Sequence, residues 1–160
     1  MSKILKLHHS AYRCKDSEET RKFYEDFLGL ELVKVLEIKS TKTNRKTQVL
    51  HTFYQLRDGS CIAFFEEPLA DFNFKNQRDF DLHIALQVSE KDLHIMYEKG
   101  INAKIETRGI IDHGFIQSIY FRDPNGYVIE LTHPNKNIND LSHSKNMKIL
   151  KEWQITKDKI

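Results

Sequence analysis

The sequence predicts an α+β fold made of two tandem β-α-β-β-β modules, at residues 4–67 and 80–133. Apolar and polar residues alternate in eight short segments, which is typical of strands, and two longer segments place apolar residues at helical spacing. The same order of strands and helix occurs in both modules. We expect their sheets to curl into one cup-shaped mixed sheet, with the helices outside.

The first module opens with a predicted strand at 7–14, followed by a helix that begins at Asp16 or Ser17. Either residue can cap the first helical turn with its side-chain oxygen. Gly29 is expected to end this helix, because glycine accepts the left-handed backbone of a helix C-terminus. The apolar face of the helix consists of Phe23, Tyr24, Phe27 and Leu28. The other strands of the module are predicted at 30–38, 47–56 and 60–65.

The second module follows a linker at 66–79 and repeats this order. Ser89 is expected to cap a helix that runs through Lys99 and is closed by Gly100. The strands of this module are predicted at 81–88, 101–107, 115–121 and 127–132. Residues 134–160 form a C-terminal tail, for which the apolar spacing predicts a short helix.

The spacing of equivalent residues supports a duplication. His83 follows His9 at nearly the same interval as Gly100 follows Gly29. The small difference between the two intervals is what changes in loop length produce.

Composition limits the classes of function. The chain of 160 residues has 25 Lys and Arg against 23 Asp and Glu, and this net charge of +2 gives no support for nucleic-acid or membrane partners. No segment resembles a signal peptide or an apolar membrane span, so we expect a cytoplasmic protein. Cys14 and Cys61 lack metal-type spacing with each other and are expected to be buried thiols.

A glutamate near the end of the second module predicts a metal site. Strand alternation places Glu130 on the same face as Val128, and a carboxylate on an apolar face is costly unless it is paired or binds a metal. His9 and His83 occupy matching positions in the two modules, so the three residues predict a site of two imidazoles and one carboxylate. The duplication makes Ala63 the counterpart of Glu130 in the first module, and its methyl group cannot bind a metal.

Several motifs of the chain resemble those of the vicinal oxygen chelate superfamily, which includes glyoxalases, bleomycin resistance proteins and extradiol dioxygenases. The resemblance covers about residues 4–133, which it implies are one domain. The motifs that carry it are His9-Ser10-Ala11, Phe23-Tyr24, Leu28-Gly29-Leu30, His83-Ile84-Ala85 and Asp123-Pro124-Asn125-Gly126 followed by Glu130. It implies a small-molecule substrate and one divalent metal ion held by His9, His83 and Glu130.

Residues 111–130 resemble the extradiol dioxygenase motif in particular. This implies catalytic roles for Tyr120 and His113, Fe(II) as the favoured metal and dioxygen as a second substrate, with Mn, Zn, Ni or Co as other metals. Candidate walls of a pocket for a catechol-like substrate are Phe53, Phe64, Phe115 and Phe121. One departure is Ser60, which stands where those enzymes carry an acid/base histidine; His51 is a possible substitute.

Two other functions stay open at this point. One is a lyase or isomerase that uses Zn, Ni, Co or Mn to polarise an α-hydroxycarbonyl, although Ala63 removes the carboxylate of such a site. The other is a binding protein that sequesters a flat aromatic ligand. A homodimer is also expected, because two such modules leave sheet edges uncovered, and Ile149, Leu150 and Trp153 of the tail can take part in it.

Overall fold

A computed structural model of the chain describes residues 2–40, 43, 46–135 and 142–157. These residues form two four-stranded sheets and three helical segments, in the order of two tandem β-α-β-β-β modules followed by a helix. The predicted α+β class and the duplication are therefore confirmed. Within the described residues, every helix is too short or too polar to cross a membrane.

Contacts divide the chain into two compact units. The first consists of Met1–Ile84 and Arg122–Ile129, and the second of Ala85–Phe121 and Glu130–Ile160. The predicted limits of the two modules, 4–67 and 80–133, are based on the order of the strands and not on contacts. These limits stay a prediction.

The first sheet has the strand order β1-β4-β3-β2. Its strands are β1 His9–Cys14, β2 Glu31–Ser40, β3 Lys46–Gln55 and β4 Cys61–Glu66. β1 runs parallel to β4, with His9 opposite Cys61 and Ala11 opposite Ala63. β3 runs antiparallel to β4, with Phe53 opposite Ala63. Because side chains alternate between faces, these residues share one face of the sheet.

The opposite face of this sheet packs on the first helix. This helix, α1, spans Ser17–Arg21 and continues as a π-helical segment at Lys22–Phe27. Tyr24, Tyr54 and Phe64 are fully buried, and the Tyr24 ring lies 4.7 Å from Phe64 and 5.5 Å from Tyr54 between centroids. Such aromatic contacts supply much of the apolar burial in a small core.

The ends of this first helical segment agree with the sequence. Asp16 is the N-cap, and its carboxylate accepts a hydrogen bond of 2.8 Å from the backbone N–H of Glu19. Gly29 lies just beyond the last helical residue with a φ of +80°, in the left-handed region that favours glycine.

The second sheet has the strand order β5-β8-β7-β6. Its strands are β5 Ile84–Gln87, β6 Thr107–Asp112, β7 Ile116–Arg122 and β8 Val128–Pro134, with helix α2 at Glu90–Asn102 and helix α3 at His143–Lys157. The predicted strand at 101–107 is wrong, because α2 continues to Asn102 and β6 begins only at Thr107. The predicted strand at 81–88 is shorter than expected and begins after His83.

Gly100 does not close α2 as predicted. It is a buried residue within the helix, and a Cβ atom there would lie 2.5 Å from both the Phe121 ring and Thr107 Oγ1. The left-handed residue after this helix is Lys104, with a φ of +56°. Lys104 follows Gly29 at an interval closer to that between His9 and His83, so this equivalence supports the duplication better than Gly100 does.

The C-terminal helix α3 has no buried residue among those described. Ile149, Leu150 and Trp153 are all exposed, Trp153 by 54%. The predicted helix is therefore present, and its apolar side chains are available to a partner.

The Asp123-Pro124-Asn125-Gly126 turn that leads into β8 is anchored within the first unit. The Asp123 carboxylate accepts hydrogen bonds from the backbone N–H of Tyr127 at 2.8 Å and from the hydroxyl of Tyr24 at 3.0 Å. Asn125 Oδ1 accepts a further bond of 2.9 Å from the backbone N–H of Lys15. Burial nevertheless raises the pKa of Asp123 above its ordinary value, since these bonds compensate only part of the lost hydration.

We expect Gly100→Ala to destabilise the protein by about 1 to 2 kcal/mol, because overpacking against Phe121 outweighs the gain of about 1 kcal/mol in helix propensity. Urea denaturation of the two proteins measures this difference. Asn102→Ala is the control, since Asn102 is exposed on the same helix. A Gly100→Ala protein as stable as wild type would contradict the close packing.

We expect the Asp123 carboxyl to titrate above the ordinary range of an aspartate in the folded protein, because burial raises its pKa. The stability that this group contributes is present at acid pH and is lost as the pH rises through its folded pKa. Carbon-13 NMR of labelled aspartates measures the titration. Asp58 is an internal control in the same spectrum, since its hydrogen bond from the Ser60 hydroxyl lowers its pKa. A titration of Asp123 below that of Asp58 would contradict the assignment.

Candidate functional site

Glu130 lies on β8 in the second unit, where only 4% of it is exposed. The predicted burial of this carboxylate is confirmed. Its Oε1 accepts a hydrogen bond of 2.5 Å from the Ser118 hydroxyl and lies 3.4 Å from the Tyr120 hydroxyl. Ser118 and Tyr120 are two positions apart on β7 and therefore point to the same face of the sheet. The buried charge is thus hydrogen-bonded by the neighbouring strand, as burial of a carboxylate requires.

The two residues predicted to be catalytic are adjacent to each other. His113, in the turn between β6 and β7, places its Nε2 2.9 Å from the Tyr120 hydroxyl. Its ring is exposed, whereas Tyr120 is buried. A connected row therefore runs from His113 through Tyr120 and Glu130 to Ser118. This row joins solvent to the buried carboxylate through groups that can exchange protons.

Arg108 adjoins this row of residues, and the sequence patterns do not predict it. It lies on β6 directly opposite Tyr120, and its guanidinium carbon is 5.0 Å from the centroid of the Tyr120 ring. This is the geometry of a cation–π contact. From the sequence, Arg108-Gly109 is expected to be a break after a strand. In the structure, β6 spans Thr107–Asp112 instead, and Arg108 therefore lies opposite Tyr120.

In the first unit, His9 is exposed at the start of β1. Its Nδ1 lies 2.8 Å from Nδ1 of His8, and its ring centroid lies 5.6 Å from that of Phe53 and 6.4 Å from that of His51. His83 immediately precedes β5, and its Nδ1 lies 2.7 Å from the backbone oxygen of Asp79. Both histidines are therefore held through Nδ1. The Asp79 carbonyl fixes the proton on Nδ1 of His83, whereas the direction of the bond between His8 and His9 decides the tautomer of His9.

The predicted donor set fits a divalent transition metal by its chemistry, since two neutral imidazoles and one carboxylate are a common facial set. His9 and His83 belong to the first unit and Glu130 to the second. Among the residues that the structure describes, no three His, Cys, Asp or Glu side chains are grouped closely enough to hold a metal ion. The metal assignment therefore stays a prediction.

The four predicted pocket phenylalanines occupy different environments. Phe53 shares a sheet face with His9 and contacts its ring. Phe64 lies on the opposite face, fully buried against Tyr24, and Phe121 is buried beside Gly100. Phe115 is 58% exposed. These positions assign Phe64 and Phe121 to the cores of their units and keep Phe53 as a candidate wall.

Ser60 and His51 bear on the expected acid/base group. Ser60 precedes β4, and its hydroxyl donates a hydrogen bond of 2.6 Å to Asp58 within the turn. His51 is buried on β3, stacked on Phe65 at 3.7 Å between centroids, with Nδ1 2.9 Å from the backbone oxygen of Phe64. Ser60 is thus engaged in a turn, whereas His51 lies on the face of the sheet that carries Phe53.

Comparisons with known proteins agree with this fold. The model of the glyoxalase/bleomycin resistance protein/dioxygenase superfamily matches residues 6–131. The chain is 30% identical over 135 residues to the metallothiol transferase FosB of Bacillus licheniformis, and the match covers 81% of this chain and 76% of that protein.

Two solved structures show the same fold at lower identity. A variant of the fosfomycin resistance protein FosX from Listeria monocytogenes, complexed with Mn(II) and 1S,2S-dihydroxypropylphosphonic acid, is 21% identical. Its TM-score is 0.60, and the match covers 87% of this chain and 99% of that chain. A glyoxalase/dioxygenase from Nostoc punctiforme is 20% identical. Its TM-score is 0.62, and the match covers 85% of this chain and 99% of that chain.

Proposed function

The chain belongs to the glyoxalase/bleomycin resistance protein/dioxygenase superfamily, and on that premise we propose that it is a metal-dependent transferase. It adds a thiol to a small anionic substrate that carries a strained ring, such as the epoxide of fosfomycin. The observation that carries this proposal is the Arg108 guanidinium against the ring of Tyr120, whose hydroxyl neighbours the buried Glu130. A substrate with a phosphonate group enters the site already charged and is favoured by a cation that pairs with that group, whereas a catechol enters uncharged.

One relative supports this class of reaction by its name, and another supports a phosphonate ligand. FosB is named as a metallothiol transferase, and FosX is named as a fosfomycin resistance protein whose complex holds Mn(II) and a phosphonate. A phosphonate is a dianion with three acceptor oxygens, and an arginine fork is well suited to bind it. We therefore propose that Arg108 holds the anionic group and that the adjacent hydroxyl of Tyr120 faces the reacting part of the substrate.

We propose that His9, His83 and Glu130 bind one divalent ion. Such an ion, when bound, supplies Lewis acidity toward a substrate oxygen. Mn(II) joins Fe(II) as a favoured metal because the FosX complex contains it. The chemistry of the donor set also admits Zn, Ni and Co.

The residues of the second unit have distinct proposed roles. The thiol loses its proton to solvent, its sulfur forms a bond to a ring carbon, the carbon–oxygen bond of the epoxide breaks, and the released oxygen takes up a proton. Tyr120 is placed to donate that proton, and His113 at 2.9 Å can return one to it from solvent. Ser118 keeps Glu130 in place through its hydrogen bond. General acid catalysis of this kind typically contributes about 10²- to 10⁴-fold to a rate.

A second candidate is the extradiol dioxygenase suggested by residues 111–130, and the His113–Tyr120 contact favours it. In that reaction Tyr120 would hydrogen-bond a deprotonated catechol oxygen, and His51 would replace the histidine that is absent at Ser60. The exposed cation of Arg108 and the role of Ser60 in its turn make this the weaker proposal. Glyoxalase-type isomerisation and simple ligand binding have no observation of their own among the described residues.

We also propose that the protein is a homodimer, since α3 presents exposed apolar side chains to solvent. Light scattering at micromolar concentration should give twice the mass of one chain. Trp153→Ser should shift the equilibrium toward the monomer, because it removes the largest of these side chains. A wild-type mass of one chain would contradict the dimer.

The metal proposal predicts that Glu130→Ala, like His9→Ala, loses stable binding of the divalent ion. Elemental analysis of protein purified with Mn(II) or anaerobically with Fe(II) measures the content per chain. His94→Ala is the matched control, since His94 is exposed on α2 and is not one of the three predicted ligands. Wild-type metal content in Glu130→Ala would refute the assignment.

The transferase proposal predicts that Arg108→Gln raises KM for fosfomycin by about 10-fold or more, because a hydrogen bond to a charged group contributes about 1.5–3 kcal/mol. Tyr120→Phe should lower kcat instead and leave the metal bound. Phosphorus NMR of fosfomycin with a panel of thiols measures product formation. Arg57→Gln, in the exposed turn before β4, is the control and should change neither constant. If catechols consume oxygen while fosfomycin is unchanged, the second candidate replaces the first.

A further inference from the structure

The rings of His8 and His9 are paired through a single hydrogen bond. Their Nδ1 atoms are 2.8 Å apart, and the ring centroids are 5.0 Å apart with an angle of 75° between the planes. Each imidazole nitrogen either carries a proton and donates or carries a lone pair and accepts. Two N–H groups or two lone pairs would repel at this distance, so one Nδ1 donates and the other accepts.

The direction of this bond decides whether His9 can bind a metal through Nε2. If Nδ1 of His9 carries the proton and donates to His8, then Nε2 of His9 has a lone pair available for coordination. If His8 donates instead, neutral His9 carries its proton on Nε2, and that nitrogen cannot coordinate. Binding of a metal at Nε2 therefore requires His8 to be the acceptor.

His83 shows the same arrangement with a partner that leaves no choice. The atom near its Nδ1 is the backbone oxygen of Asp79, at 2.7 Å. A carbonyl oxygen only accepts, so Nδ1 of His83 carries the proton and its Nε2 carries the lone pair. The two predicted histidine ligands thus differ in the acceptor, which is a backbone carbonyl for His83 and an imidazole for His9.

We propose that His8 is a positioning residue for the metal site, accepting the hydrogen bond from Nδ1 of His9 and so presenting Nε2 of His9 to the divalent ion. This role rests on the proposed metal site. If strand alternation extended to His8, its side chain would lie on the face opposite His9. Because β1 begins at His9, alternation does not fix the direction of the His8 side chain. The backbone of His8 is held separately, because its carbonyl oxygen accepts a bond of 3.1 Å from the N–H of Cys61. The exposed ring of His8 can therefore be replaced without removing this backbone bond.

Two substitutions separate the hydrogen bond from the bulk of the ring. His8→Leu removes the acceptor, whereas His8→Asn keeps an oxygen acceptor near the position of Nδ1. Competition with a chromophoric chelator measures the affinity for Co(II) in each protein. We expect His8→Leu to weaken binding by about 10- to 100-fold, as is typical when the partner of a ligating histidine is removed. His8→Asn should stay close to wild type, and His94→Ala serves as the control for loss of an unrelated exposed histidine.

A spectroscopic measurement tests the bond itself. In water, the proton NMR spectrum of the Co(II) protein should show two shifted exchangeable imidazole N–H signals, one from each histidine ligand. His8→Leu should lose the signal of His9 through exchange with solvent and keep that of His83, which the Asp79 carbonyl protects. His8→Asn should restore it. Histidine-labelled variants in which His9 or His83 is replaced assign the two signals, because each variant lacks the N–H signal of the replaced residue.

The outcomes separate this role of His8 from the proposed function. If wild type binds no divalent ion, the metal site is wrong and the role of His8 falls with it. If wild type binds the ion but His8→Leu keeps both its affinity and the His9 signal, the role of His8 alone is overturned. An equal loss in His8→Leu and His8→Asn would also overturn it, since the oxygen acceptor would then have no effect.

Discussion

The burial of the Glu130 carboxylate is the constraint on which the second half of the molecule depends. An unpaired carboxylate in an apolar environment is unstable by several kcal/mol, so the neighbouring strand has to supply donors. Ser118 and Tyr120 do this from alternate positions of β7, and His113 extends the row to solvent. The same groups that make the burial tolerable are those that could move a proton. Stability and the proposed chemistry therefore draw on one set of hydrogen bonds.

The orientation of the histidines is a second constraint of the same kind. A ligating imidazole needs a defined tautomer, and a hydrogen bond at one nitrogen provides it. His83 uses a backbone oxygen and His9 uses the ring of His8. A carbonyl acceptor fixes one tautomer of the histidine that donates to it, whereas an imidazole partner is compatible with either tautomer of that histidine. In the proposed site, the tautomer of His9 therefore depends on a side chain, whereas that of His83 depends on the backbone.

Membership of the superfamily does not select a reaction, because one fold accommodates several chemistries. The features that discriminate here are local. Arg108 places a cation beside the tyrosine, Ser60 is occupied in a turn, and Ala63 carries no ligand on the face of His9 and Phe53. An anionic substrate is compatible with all three. A catechol is compatible with His113 and Tyr120 but gives Arg108 no role in the reaction.

The sequence by itself determined the duplicated α+β fold and the burial of Glu130. These follow from local patterns, since alternation fixes the face of a strand residue and capping residues mark where a helix begins. Only the tertiary structure shows where α2 ends and β6 begins. Gly100 is needed because the Phe121 ring packs closely against it, and not because the helix ends there. Because β6 begins at Thr107 and not earlier, Arg108 is part of this strand and pairs with Tyr120. Likewise, the contact of His8 with His9 depends on side-chain conformation, which strand alternation cannot specify. The alternation of apolar and polar residues shows which face of a strand each side chain occupies. The register between strands and the partners of each polar atom depend instead on residues far apart in the sequence.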